Sequence, residues 1–187
     1  MEGNRQTFLI ENFPWDTGGY RPRTVVTLTR LPQALKVQFV SWESPVRAVE
    51  TENNTDVYCD SCVEMFIQPN PEEDHRYMNV ECNPNAAVYC AVNTPGGDRI
   101  TLPGEVIESF QAKTAVYVDR WEAELSIPAK VLQEIFPGYA HRAGVRIRGN
   151  FYKCGDKTAH PHFGCWQPID WPEPNFHLPQ FFGDIIL

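Results

Sequence analysis

The stretch TDVYCDSCVEMFIQPNPEEDHRYMNVECNPN, Thr55–Asn85, decides the fold. Val63, Met65 and Ile67 alternate with Cys62, Glu64 and Phe66. Past a Pro-rich loop, Met78, Val80 and Cys82 alternate with Tyr77, Asn79, Glu81 and Asn83. A period of two sends successive side chains to opposite faces of a strand. The stretch therefore reads as two β-strands, each with one apolar face. The other face carries carboxylates and amides and is framed by Tyr58 and Tyr77. Two readings fit such a face: a binding surface for a hydroxyl-rich ligand, or the solvated outside of a sheet.

The flanking chain keeps the same period. Thr7 to Glu11, Thr24 to Thr29 and Ala34 to Ser44 read as strands, and a polar loop from Pro45 leads into the central pair. Ala87 to Val92 follows an Asn-Pro-Asn turn. Ala112 to Val118 and Trp121 to Ile127 form a hairpin about Asp119-Arg120. One helix is predicted, over 128–136, with Pro128 in its first turn and Pro137-Gly138 as its stop. Gly144 to Lys153 puts Val145, Ile147 and Phe151 on one side. Arg146, Arg148, Asn150 and Tyr152 lie on the other. Gly155 to Pro179 is rich in Pro, His and Trp, and Phe181 to Leu187 closes the chain as a strand. Many short strands with one helix predict an all-β, antiparallel β-sandwich forming a single domain over 1–187. The polar face then gathers Gln38, Trp42, Glu64, Asn79, Glu81, Arg148 and Asn150.

Composition narrows the function. The 187 residues carry a net charge of −8. An acidic chain without a basic run argues against nucleic acid and anionic membrane as partners. No apolar run approaches the roughly 20 residues of a membrane span. No signal peptide is visible at the N-terminus, so a cytoplasmic location is expected, or an extracellular one if a signal was removed. Six cysteines occur, and Cys59-x-x-Cys62 lacks a second half at zinc-site spacing. Cys82 lies on an apolar strand face; free thiols are expected, with no obligatory disulfide.

Asp60-Ser61-Cys62-Val63-Glu64-Met65-Phe66-Ile67 resembles the DSVE-F-I strand of family 9 carbohydrate-binding modules. Cys165-Trp166-Gln167-Pro168, followed by Asn175 to Leu187 with its Phe182-Gly183, is similar to that family's closing pattern. Trp121 to Ile127 and Gly144 to Asn150 resemble its middle strands, so the likeness covers nearly the whole chain. The resemblance implies a sandwich of the jelly-roll, DOMON-like group and non-catalytic sugar binding between two aromatic rings. The matching ring positions are Tyr58 and Phe176, where the family carries Trp. The resemblance places Glu64, Asn79, Glu81, Arg148 and Asn150 on the polar floor, with Trp166 nearby. A pyranose offers a C–H face for rings and a hydroxyl rim for carboxylate, amide and guanidinium groups. The implied partner is a mono- or oligosaccharide. Modules of this kind are usually appended to a glycoside hydrolase.

Other chemistries stay open at this level. Glu64 and Glu81 on adjacent strands resemble the carboxylate pair of a glycoside-active enzyme. Some DOMON-like domains hold haem, for which His160, His162, His177, Met65 and Met78 are candidate axial ligands. No cofactor is otherwise expected, with calcium a minor candidate at Asp16, Glu52, Asp56, Glu72 and Asp74. No Ser-His-Asp order, phosphate loop or HExxH motif is present.

Overall fold

The computed structural model describes residues 4–187. Among them, two antiparallel sheets pack face to face. The first holds β1 (Asn4–Ile10), β2 (Thr24–Leu31), β3 (Ala34–Ser41), β8 (Lys113–Val116) and β9 (Trp121–Pro128), in the order β1-β2-β3-β9-β8. The second holds β4 (Cys62–Gln68), β5 (Tyr77–Cys82), β6 (Val88–Asn93), β7 (Arg99–Thr101), β10 (Arg146–Cys154), β11 (Phe163–Cys165) and β12 (Gly183–Ile186). Its order is β11-β10-β4-β5-β6-β7, with β12 also on β10. β12 pairs with Arg146–Gly149 and β11 with Tyr152–Cys154. The segment 166–182 therefore leaves and rejoins the same strand.

The core lies between the sheets and is built from the alternating positions. Val63, Met65 and Ile67 meet Met78, Val80 and Cys82 across the β4–β5 register, and Val37, Phe39, Ala123 and Leu125 face them from the other sheet. The expected sandwich is present. The helix predicted over 128–136 is α2 (Ala129–Ile135), and a second short helix, α1 (Gly104–Glu108), joins it. α1 holds one turn with Ile107 buried, too short for a helical period to show in sequence.

Three placements differ from the sequence reading. Gln38 and Trp42 do not share a face with Glu64. Gln38 is on the other sheet, where it bonds Glu124, and Trp42 lies just past the end of the same strand, with Arg23 over its ring. Trp166 packs into the main core against Phe8 and Phe151, with ring centroids 4.7 and 5.8 Å away. Lys153, on the apolar side of β10, is fully buried. Its ammonium donates to Glu43 Oε2 at 2.9 Å, to the Cys154 carbonyl at 2.7 Å and to His162 Nε2 at 2.8 Å. Trp121 Nε1 and Ser61 Oγ donate to the same Glu43 carboxylate. All three Lys153 protons have acceptors, which is what a buried charge requires. Burial would raise the Glu43 carboxyl; the Lys153 charge overrides it and holds the group below its ordinary value.

Candidate functional site

The outer face of the second sheet carries the site. Its neighbours in register are Tyr152, Glu64, Glu81 and Tyr89 in one row, and Asn150, Phe66, Asn79 and Ala91 in the next. Every residue of β4 and β5 is buried, on both faces. The cover is segment 166–182, which folds back across this face. It forms a second apolar cluster in which Leu178, Phe182 and Ile169 pack on Phe66, Tyr77 and Tyr152.

Two side chains expected on the floor hold this cover instead. Asn150 grips its departing end: Nδ2 donates to the Gln167 carbonyl at 3.1 Å, and Oδ1 accepts from Gln167 N at 2.9 Å. Arg148 grips its returning end, donating to the Phe182 carbonyl at 2.5 Å and the Gln180 carbonyl at 3.4 Å. Gly183 permits the close approach, since a Cβ there would sit 2.7 Å from Gln167 Nε2. Asn79 is fully buried and supports from beneath. It donates to Glu81 Oε1 at 2.8 Å and accepts from Asn93 Nδ2 at 2.7 Å. Arg148, Asn79, Asn150 and Trp166 do not line the cleft described next.

Beside the cover, a cleft of ≈ 490 Å³ opens onto the sheet. Glu64, Phe66, Glu81, Tyr89 and Cys154 form its floor. Thr55, Asp56, Tyr58, Arg99, Asp156, Phe163 and the strip Pro174–His177 form its walls. The structure thus brings together Tyr58, Phe176, Glu64 and Glu81 from the sequence reading. Tyr89, Arg99, Cys154, Asp156 and Asn175 were missed as site residues, and Asp56 was named only as a calcium candidate. Tyr89 was legible: it alternates with Val88 and Cys90 on a strand beside Glu81. Arg99 was not, because its three-residue strand reads as part of a turn.

Local chemistry positions each wall. Tyr58 stands in a 3-10 turn, Val57–Cys59, whose exit residue Asp60 is a hub. Asp60 accepts from Arg47 Nη1, from the Val49 and Glu50 amides at 2.9 Å, and from Asn83 Nδ2 at 2.8 Å. The amides of Asp156 and Lys157 bond the Tyr58 and Cys59 carbonyls, which ties the Asp156 loop to this turn. Tyr58 itself is 41% exposed. Phe176 lies flat on Tyr152, with centroids 4.1 Å apart and planes 11° from parallel, and the Tyr152 hydroxyl donates to the Phe176 carbonyl. Arg99 is aimed by Asn93 Oδ1 at 3.0 Å and donates to His177 Nε2 at 3.0 Å. His177 must then carry its proton on Nδ1 and donate it to the Tyr77 hydroxyl. Burial and the Arg99 charge hold His177 neutral, its pKa pulled down to about 4.

The carboxyls are tuned by burial. Glu81 is pushed up to about 7 by desolvation, against the opposing Asn79 bond and Arg99 charge. Glu64 is raised well above the carboxylate range by desolvation, with Cys154 and Glu81 adding to it. A protonated carboxyl both donates and accepts, so this floor can meet either role of a hydroxyl.

The residues considered for metal or haem lie apart. Met65 and Met78 are in the main core, His162 is in the Lys153 network, His160 packs at a tilt against Tyr20, and His177 is in the cleft wall. Of the acidic loop residues, Asp16, Glu72 and Asp74 pair with Arg21, Arg146 and Arg76. Asp56 lines the cleft. Among the described residues, three metal-ligating side chains converge at one place: Cys62, Glu64 and Cys154. All six cysteines are free and buried.

The family model described as "Carbohydrate-binding family 9" matches residues 1–187. The chain belongs to carbohydrate-binding family 9. Among solved structures, it is similar to a Bacteroides uniformis protein described as a candidate carbohydrate-binding protein. The TM-score is 0.87 at 29% identity, over 97% of this chain and 85% of that one. Two family 9 modules from Caldicellulosiruptor kristjanssonii share the fold. One, in complex with cellotriose, has a TM-score of 0.62 at 16% identity, over 97% of this chain and 81% of that one. The other, in complex with glucose, has a TM-score of 0.59 at 17% identity, over 95% and 83%. No curated protein sequence matches the chain.

Proposed function

We infer that this family 9 chain binds carbohydrate without turning it over, and that the cleft is where the sugar sits. The observation that carries the reading is the lining itself. Tyr58 and Phe176 stand on the walls of one cleft whose floor bears Glu64 and Glu81 and whose rim bears Arg99 and Asp156. Rings supply a surface for the C–H face of a pyranose, while carboxyls and the guanidinium supply hydroxyl partners. The volume falls within the roughly 300–1,000 Å³ of small-molecule sites. Asn79, Arg148 and Asn150 act in this reading by holding the cover and the floor, not by touching sugar.

Glucose and cellotriose, the ligands of the two solved family members, are the first sugars to titrate by calorimetry. Wild type is expected to bind at least one. Tyr58→Ala and Phe176→Ala should each weaken binding by roughly 1–3 kcal/mol, the loss of one well-placed ring. The exposed Tyr58 should leave the melting temperature almost unchanged. Phe176→Ala should lower it, because that ring also covers Tyr152. Equal sugar affinity in wild type and both variants would place the site elsewhere. Release of reducing sugar during prolonged incubation with oligosaccharides would overturn the non-catalytic reading.

A further inference from the structure

Two thiols at the cleft floor, Cys154 in its lining and Cys62 beside it, have chemistry that sugar binding does not use. Cys62 and Cys154 stand directly opposite each other on β4 and β10, and Glu64 follows on the same face. The two Sγ atoms and a Glu64 oxygen lie within 4.8 Å of one another. Cys154 Sγ donates to Glu64 Oε1 at 2.9 Å. All three residues are buried, yet Cys154 and Glu64 also line the cleft, so an ion has a route in.

We propose that Cys62, Cys154 and Glu64 bind one thiophilic divalent cation, zinc or a zinc-like ion, at the floor of the cleft. A tetrahedral zinc has metal–sulfur bonds near 2.3 Å and metal–oxygen bonds near 2.1 Å, which puts its ligand atoms roughly 3.5–3.8 Å apart. The three donors lie within 4.8 Å of one another on two paired strands, so small side-chain rotations reach that spacing. Two thiolates and one carboxylate select a soft or borderline ion over calcium or magnesium. The ion replaces the two thiol protons and the proton that burial keeps on Glu64, all of which pass to solvent, so uptake is proton-linked. With three protein ligands, the fourth position faces the cleft and takes water or a ligand hydroxyl.

The test is titration of reduced wild type with cadmium chloride, in the absence of sugar. One equivalent per chain should produce the ultraviolet sulfur-to-cadmium charge-transfer band. Cys62→Ser and Cys154→Ser should each weaken uptake at least about tenfold. Cys90→Ser, a buried thiol on the core face, should bind like wild type. Cadmium NMR of wild type reads the donor set without any variant, and a shift between all-sulfur and all-oxygen values is expected. A wild type with no band, an oxygen-only shift, or unchanged uptake in both serine variants would overturn the site. Sugar titrations are separate, so their failure would leave the metal result standing.

Discussion

The two outer faces of the sandwich are written in the same alphabet and come out differently. On β3 and β9 the outward side chains Lys36, Gln38, Glu122 and Glu124 are half-exposed, and Lys36 and Glu124 form an ordinary surface pair at 2.8 Å. On β4 and β5 the outward Glu64, Asn79 and Glu81 are buried. Alternation with carboxylates is common to both. The difference is what stands over the strands: segment 166–182 and the cleft walls beside it close over one face, and water meets the other. A carboxyl in water costs nothing to ionise, whereas under a cover its proton is retained. A patterned strand therefore announces a face, and only a distant part of the chain decides what the face can do.

Replacing the covered floor should give the largest effect. Tyr152→Ala removes a fully buried ring that supports both Phe66 and Phe176. A loss of about 3–5 kcal/mol in denaturant unfolding is expected. A loss below about 1 kcal/mol would mean that the cover hardly packs on this face.

The second effect depends on pH and comes from Glu81. Its folded pKa is about 7, against an ordinary 4.5. Between those values the folded form holds a proton that the unfolded form has lost, so stability falls as pH rises. Glu81→Gln carries no such proton and keeps the oxygen that Asn79 bonds. Variant and wild type, kept metal-free with a chelator, should differ little near pH 4.5. The variant should gain by up to about 3 kcal/mol above pH 7. Parallel melting curves across that range would show Glu81 to be as wet as Glu124.

Glu124→Ala on the open face should change stability by less than about 0.5 kcal/mol at any pH. A larger change would erase the contrast between the faces.

Most of the fold was legible because period-2 alternation reports burial directly. The β4–β5 pair and α2 fall where the pattern puts them. The site was legible in part. Tyr58, Glu64, Glu81 and Phe176 could be named from motif and alternation. Arg148 and Asn150 were assigned to the right face but the wrong task, because which polar group meets a ligand and which meets a backbone carbonyl depends on where 166–182 lands. Lys153 defied the pattern, since its partner Glu43 comes from a loop far away in sequence and His162 from the irregular segment after its own strand. Gln38 and Trp42 were grouped with Glu64 because alternation does not say to which sheet a strand belongs.

Both ends of 166–182 are moored on one edge of β10, at Cys165 and Gly183. Such an arrangement separates the cover from the scaffold. Residues inserted near Trp171, which is 46% exposed, would lengthen a loop whose closure is already fixed by the sheet. Doubling a flexible loop adds only about 0.6 kcal/mol of closure entropy. The exposed part of the strap can therefore be lengthened, shortened or exchanged between related chains, provided Ile169, Leu178 and Phe182 keep their packing on the strands below. Swapping this segment alone is the economical way to evolve, or to engineer, a new ligand preference on the same sandwich.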